Sequence, residues 1–128
     1  MGAPPDRTKP ELDFPGEFPP SFLVVDDVQV GSGAAVAAGQ TVSAHYVGWA
    51  FSTGEEFDSS WSRGQPLDFT VGVGQVIAGW DEGLVGMRVG GRRRLTVPPH
   101  LAYGDRGAGR FIRPGETLVF VVDLLDAR

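Results

Sequence analysis

The segment "VIAGWDEGLVGM", residues 76–87, decides the fold, because it shows helical spacing in a chain of strand-like patterns. Its large apolar residues Ile77, Trp80, Leu84 and Met87 recur every three or four positions, as on one face of an amphipathic helix. Three glycines in the same segment each cost about 1 kcal/mol relative to alanine in a helix. We therefore expect a short helix of about two turns that depends on packing against the rest of the domain.

Strand-like segments lie on both sides of this helix. In "TVSAHYVGWAF", residues 41–51, Val42, Ala44 and Tyr46 alternate with polar residues, and beyond Val47 both faces are apolar. The other strand-like segments are "SFLVVDDVQV" (21–30), "PLDFTVG" (66–72), "RRRLTV" (92–97) and "ETLVFVVDLL" (116–125). Antiparallel strands with one short buried helix predict an α+β domain in which a curved sheet wraps around the helix.

Length and composition indicate one globular domain and exclude several classes of function. The chain has 128 residues, of which 41% are apolar, and this is enough for one core. A formal charge of −5 argues against nucleic acid and anionic membranes as main partners. Without cysteine, the chain has no disulfides, thiol nucleophiles or thiolate metal sites. No targeting signal and no apolar span long enough for a bilayer is present, so we expect a cytoplasmic protein.

The N-terminal region differs from the rest in its proline content. Six of the ten prolines lie in residues 1–20. Because proline lacks an amide donor and fixes φ, this region is a poor candidate for a helix or a sheet. We expect residues 1–20 to form a flexible tail, and residues 21–128 to form the single domain.

The segment "GEEFDSSWSRGQP", residues 54–66, places Asp58 between large aromatic residues, with Arg63 five positions later. A buried carboxylate needs polar partners. Tyr46 has a hydroxyl to donate and Arg63 has the opposite charge. From these residues alone, Asp58 is a catalytic carboxylate, a metal ligand or a polar pin in an apolar site.

Other chemical motifs have little support. No Gly-x-Ser-x-Gly motif of a serine hydrolase occurs. His45 and His100 are too far apart and lack metal-ligand spacing, so we expect no metal and interpret them as a strand residue and a turn residue. The run from Arg92 to Arg94 is interpreted as solvated arginines on a strand edge.

Three segments together resemble the FKBP-type peptidyl-prolyl cis-trans isomerases, the family that binds tacrolimus and rapamycin. They are "HYVGWAFSTGEEFDSS", "VIAGWDEGLVGMRVGGRRRLTVPPHLAYG" and "IRPGETLVFVVDLL". The resemblance runs from about Phe22 to Leu125. It implies a half-open antiparallel sheet wrapped on a short helix, with the active cleft between them.

The resemblance also implies roles for individual residues. Trp80 would form the cleft floor under the proline ring, and the Ile77 N–H and the Tyr103 hydroxyl would donate to substrate carbonyls. Asp58 would accept from Tyr46, pair with Arg63 and face the substrate as a polar pin. The residues expected around the cleft are Tyr46, Phe57, Asp58, Phe69, Val76, Ile77, Trp80, Tyr103 and Phe120.

The chain departs from the common family pattern at Leu67, at Gln75 and in the loop after Tyr103. That loop carries Ala108, Phe111 and Arg113, and Phe111 is also expected to contact substrate. These departures bear on substrate preference.

As partners the resemblance implies proline-containing peptides and unfolded proteins, with tacrolimus and rapamycin as inhibitors, no cofactor, and a monomer. The alternative is a module that binds proline segments or unfolded chains with little turnover. The Phe14-Pro15 and Phe18-Pro19 steps raise a further hypothesis, that the tail occupies the cleft.

Overall fold

The computed structural model describes residues 8–12, 16 and 18–128. Its strands are β1 Val24–Gln29, β2 Thr41–Ala50, β3 Glu56–Ser59, β4 Leu67–Thr70, β5 Arg92–Val97 and β6 Leu118–Ala127. Its helices are α1 Ser60–Arg63, α2 Ala78–Gly83 and a 3-10 turn at Pro99–Leu101. All strand pairs are antiparallel in the order β1-β5-β6-β2-β3, and β4 pairs with the first half of β2. The expected α+β architecture is confirmed.

Strands β2 and β6 form the centre of the sheet, and their side chains alternate between two apolar clusters. The inner cluster contains Tyr46 and Phe120 and packs around Trp80 of α2. The outer cluster contains Val47, Trp49, Phe51, Val119 and Val121. Both faces of β2 are therefore buried beyond Val47, as its apolar sequence predicts.

Helix α2 is short but tightly packed against β5. A Cβ at Gly79 would lie 2.4 Å from Cγ1 of Val97, and one at Gly83 would lie 2.8 Å from Cδ2 of Leu95. The glycines therefore let the helix approach the sheet more closely than any side chain would allow. Burial of Trp80, only 3% exposed, offsets the low helix propensity of this segment.

The interpretation of the arginine run as a solvated strand edge is wrong. Strand β5 pairs with β1 on one side and with β6 on the other, so it lies inside the sheet. Arg92 donates to both carboxylate oxygens of buried Asp123, at 2.6 and 2.7 Å, and Arg93 pairs with Asp27 at 2.8 Å. Acidic residues on both neighbouring strands thus accommodate these cations, which periodicity alone does not reveal.

Residues 8–12, called here the N-terminal strap, lie against the outer face of the sheet. Leu12 packs on the outer cluster, and Arg92 donates to the carbonyl of Thr8 at 2.6 Å. Lys9 forms an ion pair with Glu56 of β3 at 2.9 Å. Of the two Phe-Pro steps in the expected tail, Phe14-Pro15 lies outside the described residues. Phe18 of the other step is 82% exposed.

Candidate active site

A cleft of about 180 Å³ lies on the inner side of the sheet, next to the start of α2. The inner faces of β2 and β6 supply two of its aromatic rings, while β3, β4 and the segment leading into α2 supply the other walls. Its lining residues are Tyr46, Phe57, Asp58, Leu67, Gln75, Val76, Ile77, Trp80, Tyr103 and Phe120. The cleft therefore combines an apolar interior with a few polar groups.

The floor of the cleft is a cluster of aromatic rings around Trp80. The Tyr46 and Phe120 rings meet the indole edge to face, with centroids at 5.0 and 5.3 Å. Phe57 meets Phe120 in the same way at 5.6 Å. Edge-to-face contacts of this kind add to the stabilisation that burial itself provides. Trp80 is thus held rigidly from several sides.

Gly48 of β2 makes room for two of these rings and was missed by the sequence analysis. It lies opposite Asp58 in β3 and Phe120 in β6. A Cβ at this position would lie 2.6 Å from Cζ of Phe57 and 2.8 Å from Cε1 of Phe120. The available signal was a glycine inside a strand, which often marks the close approach of another group.

Asp58 is the centre of a compact polar cluster at one wall. Its Oδ2 accepts from the Tyr46 hydroxyl at 2.5 Å, and its Oδ1 accepts from Arg63 Nη1 at 2.6 Å. Oδ1 also accepts from the backbone N–H of Ser59 at 2.8 Å. Arg63 Nη2 donates in turn to the Tyr46 oxygen at 2.9 Å. These contacts are the ones expected for a polar pin.

The expectation that Asp58 is buried needs correction. The side chains of Asp58 and Arg63 are 42% and 48% exposed, because both lie at the open mouth of the cleft. The hydrogen bonds therefore fix the orientation of the carboxylate more than they offset a burial cost.

Two tyrosine hydroxyls keep their protons at neutral pH. Burial raises the pKa of Tyr46, and the hydrogen bond to Asp58 raises that pKa further. Burial also raises the pKa of Tyr103, and the negative charge of Asp58 acts in the same direction. Both groups therefore remain hydrogen-bond donors.

The hydroxyl of Tyr103 and the backbone N–H of Ile77 both lie at the cleft and have no acceptor within the described part of the chain. Tyr103 is 41% exposed, so its hydroxyl is accessible to a ligand. The cleft thus presents an apolar floor together with the Tyr103 and Ile77 donors.

The loop that carries Val76 and Ile77 is held by side-chain acceptors. The Asp81 carboxylate accepts from the backbone N–H groups of Gly72 and Gly74, at 2.7 and 3.0 Å. The Gln75 Oε1 accepts from the backbone N–H of Thr70 at 2.8 Å. These bonds fix the backbone that leads into α2.

A second polar contact lies behind the cleft, between α1 and β2. The buried Ser60 Oγ accepts from the backbone N–H of Tyr46 at 2.7 Å and lies 2.8 Å from Nδ1 of His45. The His45 ring stacks on Trp61, with centroids 4.2 Å apart. Burial lowers the pKa of His45, although Asp123 opposes this shift. His45 is therefore a structural strand residue, as the sequence predicts.

A sequence model of the family described as FKBP-type peptidyl-prolyl cis-trans isomerase matches residues 33–125. The chain belongs to this family. It is 65% identical to the FK506-binding protein of Streptomyces anulatus over 118 residues, which cover 91% of this chain and 95% of that protein. It is 51% identical to the probable FK506-binding protein of Corynebacterium glutamicum over 119 residues, covering 93% and 98% of the two chains.

A solved structure shows the same FKBP fold. The crystal structure of AtFKBP13 matches with a TM-score of 0.78 and 44% sequence identity, over 86% of this chain and 96% of that chain. The open, curled sheet around a short helix is therefore the FKBP architecture, as the resemblance implied.

The structure brings most of the expected FKBP site residues together. Those that line the cleft are Tyr46, Phe57, Asp58, Val76, Ile77, Trp80, Tyr103 and Phe120. Arg63 contacts the cleft through Asp58. Phe69 is only 5% exposed and packs beneath Trp80 at 5.4 Å, so it supports the floor instead of lining the cleft. Phe111 is 43% exposed on the loop after Tyr103 and does not line the cleft.

Two further findings concern metals and membranes. Among residues 8–12, 16 and 18–128, no group of three or more histidine and acidic side chains is placed to hold a metal ion. Within the same residues, no helix is both long and apolar enough to cross a membrane.

Proposed function

We propose that this FKBP-family protein accelerates cis/trans isomerisation of X–Pro amide bonds in peptides and folding proteins. The observation that carries the proposal is the apolar cleft floored by Trp80, with the Ile77 N–H and the Tyr103 hydroxyl available as donors. Such a cleft suits a reaction in which a bond rotates and none is broken.

The chemistry of amide rotation explains why this cleft is suitable. The barrier is about 18–20 kcal/mol, because resonance gives the C–N bond partial double-bond character. Resonance also places negative charge on the carbonyl oxygen, and twisting the bond removes this charge separation. An apolar environment therefore disfavours the planar amide relative to the twisted one. Each tenfold gain in rate requires about 1.4 kcal/mol of such differential stabilisation.

We assign the cleft residues the following roles. Trp80 supports the proline ring, while Ile77 and Tyr103 donate to carbonyls on either side of the rotating bond and hold the chain. Asp58, fixed by Tyr46 and Arg63, faces the substrate as an oriented acceptor and transfers no proton. No nucleophile, metal or cofactor takes part in these roles.

We also propose that FK506 (tacrolimus) and rapamycin bind in this cleft and inhibit the reaction. The relatives from Streptomyces anulatus and Corynebacterium glutamicum carry FK506 binding in their names. An inhibitor that fills the cleft over Trp80 excludes the proline ring by direct competition.

The test is exchange NMR on a Phe-Pro peptide with and without the protein, which needs no coupling protease. We expect faster exchange, which FK506 abolishes and a chelator leaves unchanged. Tyr103→Phe removes the hydroxyl alone and should lower kcat/KM several-fold, in proportion to the loss of one hydrogen bond. If the peptide binds without faster exchange, the protein is instead a module that binds proline segments or unfolded chains.

The cellular setting is also a proposal. We propose that the protein acts as a monomer in the cytoplasm. Sedimentation velocity and cell fractionation test these two points separately.

A further inference from the structure

The loop of residues 104–115, called here the rim loop, carries positive charge on an acidic protein. It contains Arg106, Arg110 and Arg113 but a single acid, Asp105, whereas the whole chain has a formal charge of −5. All three arginines are exposed. No carboxylate in the described part of the chain pairs with any of them.

Backbone contacts hold the rim loop beside the cleft. The loop follows directly on Tyr103, whose side chain lines the cleft and whose carbonyl accepts from the N–H of Gly107 at 3.2 Å. Ala108 and Ile112 exchange hydrogen bonds of 2.8 and 3.2 Å, and Ile112 is buried in the inner cluster. Arg106 therefore lies in the turn that begins at the cleft wall, and Arg110 lies at the tip of the next turn.

Gln75 adds a neutral donor to the cleft. Its Oε1 already accepts from the Thr70 N–H, so its terminal amide offers N–H groups to a ligand and no negative charge. The acid that lines the cleft, Asp58, has its charge matched by Arg63 at 2.6 Å. The cleft and its rim together therefore favour anionic groups close to the bound proline.

We infer that the cleft selects polypeptide segments in which acidic residues flank the proline. The inference rests on the proposed function and specifies its substrate class. One pair of opposite charges about 10 Å apart in water changes affinity about twofold, so two or three such pairs give roughly fivefold. Because these charges are exposed, the preference should shrink as salt rises and the screening length falls below about 10 Å.

The experiment compares two peptides with the same Phe-Pro core, one flanked on both sides by Glu-Glu and the other by Gln-Gln. Affinity is measured by NMR shift titration and kcat/KM by exchange, each at about 10 mM and 300 mM ionic strength. We expect the Glu peptide to bind roughly fivefold more tightly at low salt and about equally at high salt. The triple variant Arg106→Gln, Arg110→Gln, Arg113→Gln should bind the two peptides equally.

A matched pair of variants separates local charge from net charge. Arg110→Gln removes one charge from the rim loop, and Arg94→Gln removes one from the outer face of the sheet, next to Val119 and Val121. The first should reduce the ratio of Glu to Gln affinity about twofold, and the second should preserve it.

Equal affinities in the unmodified protein at low salt would overturn the inference, as would an acidic preference that survives the triple substitution. Failure to accelerate exchange in either peptide would count against the proposed function alone, because the affinity ratio is measured independently.

Discussion

At the scale of single residues, the cleft depends as much on Gly48 as on the rings above it. Phe57 and Phe120 occupy the space that a side chain at position 48 would fill. Both rings line the cleft, so any shift of one ring changes the surface offered to a ligand. Asp58 lies opposite Gly48 on the paired strand, so its polar cluster borders the same point.

We predict that Gly48→Ala destabilises the protein by about 1–3 kcal/mol, as overpacking of a well-filled core does. It should also weaken FK506 binding, because Phe57 has to move away from the new methyl group. Urea unfolding and ligand titration measure the two effects. Phe57→Leu in the same chain should recover part of the stability. Gly48→Ala with unchanged stability and affinity would show that the rings move freely.

His45 links folding stability to pH. Burial lowers its pKa in the folded state, while in the unfolded chain the pKa is about 6.5. Below about pH 6.5 the unfolded chain therefore binds the proton more readily than the folded protein does. As the pH is lowered from this value, the unfolding free energy falls until the pH has passed the pKa of the folded state. The groups that face the ring are Ser60, Trp61 and Asp123.

We predict that His45→Gln flattens the dependence of unfolding free energy on pH between about 5 and 7, where carboxylates titrate little. The contribution of one histidine is limited to about 1.4 kcal/mol per pH unit. Urea unfolding at several pH values gives the slope. A slope that is the same in the variant and in the unmodified protein would assign the effect to other groups.

At the scale of elements, sequence patterns identified helix α2 and five of the six strands, but not β3 and α1. Strands β2 and β6 have ten residues each, which is enough to show an alternating or continuous apolar pattern. Strand β3 and helix α1 have four residues each and form through tertiary contacts, such as pairing with β2 and the Ser59 side chain that accepts from the Ser62 N–H. The location of β5 inside the sheet also depends on its partners, which a single segment does not specify.

The same reasoning applies to the site. Trp80 and Asp58 stood out in the sequence because of their residue type and their neighbours. The family resemblance supplied the remaining site residues. The resemblance also placed Phe69 around the cleft, and Phe111, on the loop after Tyr103, was expected to contact substrate. Whether a ring lines a cleft, supports it or lies outside depends on how its strand or loop packs in the folded protein, and sequence does not encode that directly.

We predict that Gly79→Ala lowers stability by about 1–2 kcal/mol, even though alanine favours helices by about 1 kcal/mol. The new Cβ would lie 2.4 Å from Val97, so α2 has to move away from β5. A double-mutant cycle with Val97→Ala tests this contact. The double variant should be more stable than the sum of the two single effects predicts. Simple additivity would indicate that α2 and β5 are not in tight contact at this point.

At the scale of the whole molecule, the two faces of the sheet bind different parts of the chain. The inner face holds α2 and the cleft, and the outer face holds the N-terminal strap. Lys9 of the strap pairs with Glu56, which immediately precedes Phe57 and Asp58 in the chain. The strap is therefore placed to stabilise β3 without entering the cleft.

Deletion of residues 1–20 separates this role from the hypothesis that the tail occupies the cleft. The deletion removes Leu12 from the outer cluster, together with the contacts of Thr8 and Lys9. We predict a loss of about 1–3 kcal/mol in unfolding free energy, from a partly buried leucine and a few exposed polar contacts. Activity toward short peptides should stay the same, because these contacts all lie on the outer face.

The competing outcome is equally specific, because a tail held in the cleft by its Phe-Pro steps would act as a tethered competitor. Its deletion would then raise kcat/KM, and Pro15→Ala with Pro19→Ala would do the same without changing stability. Leu12→Ala completes the comparison, since it weakens the strap and leaves both Phe-Pro steps intact. If the strap acts only on the outer face, Leu12→Ala and the deletion should both be less stable. All variants should then have equal activity over a range of protein concentrations.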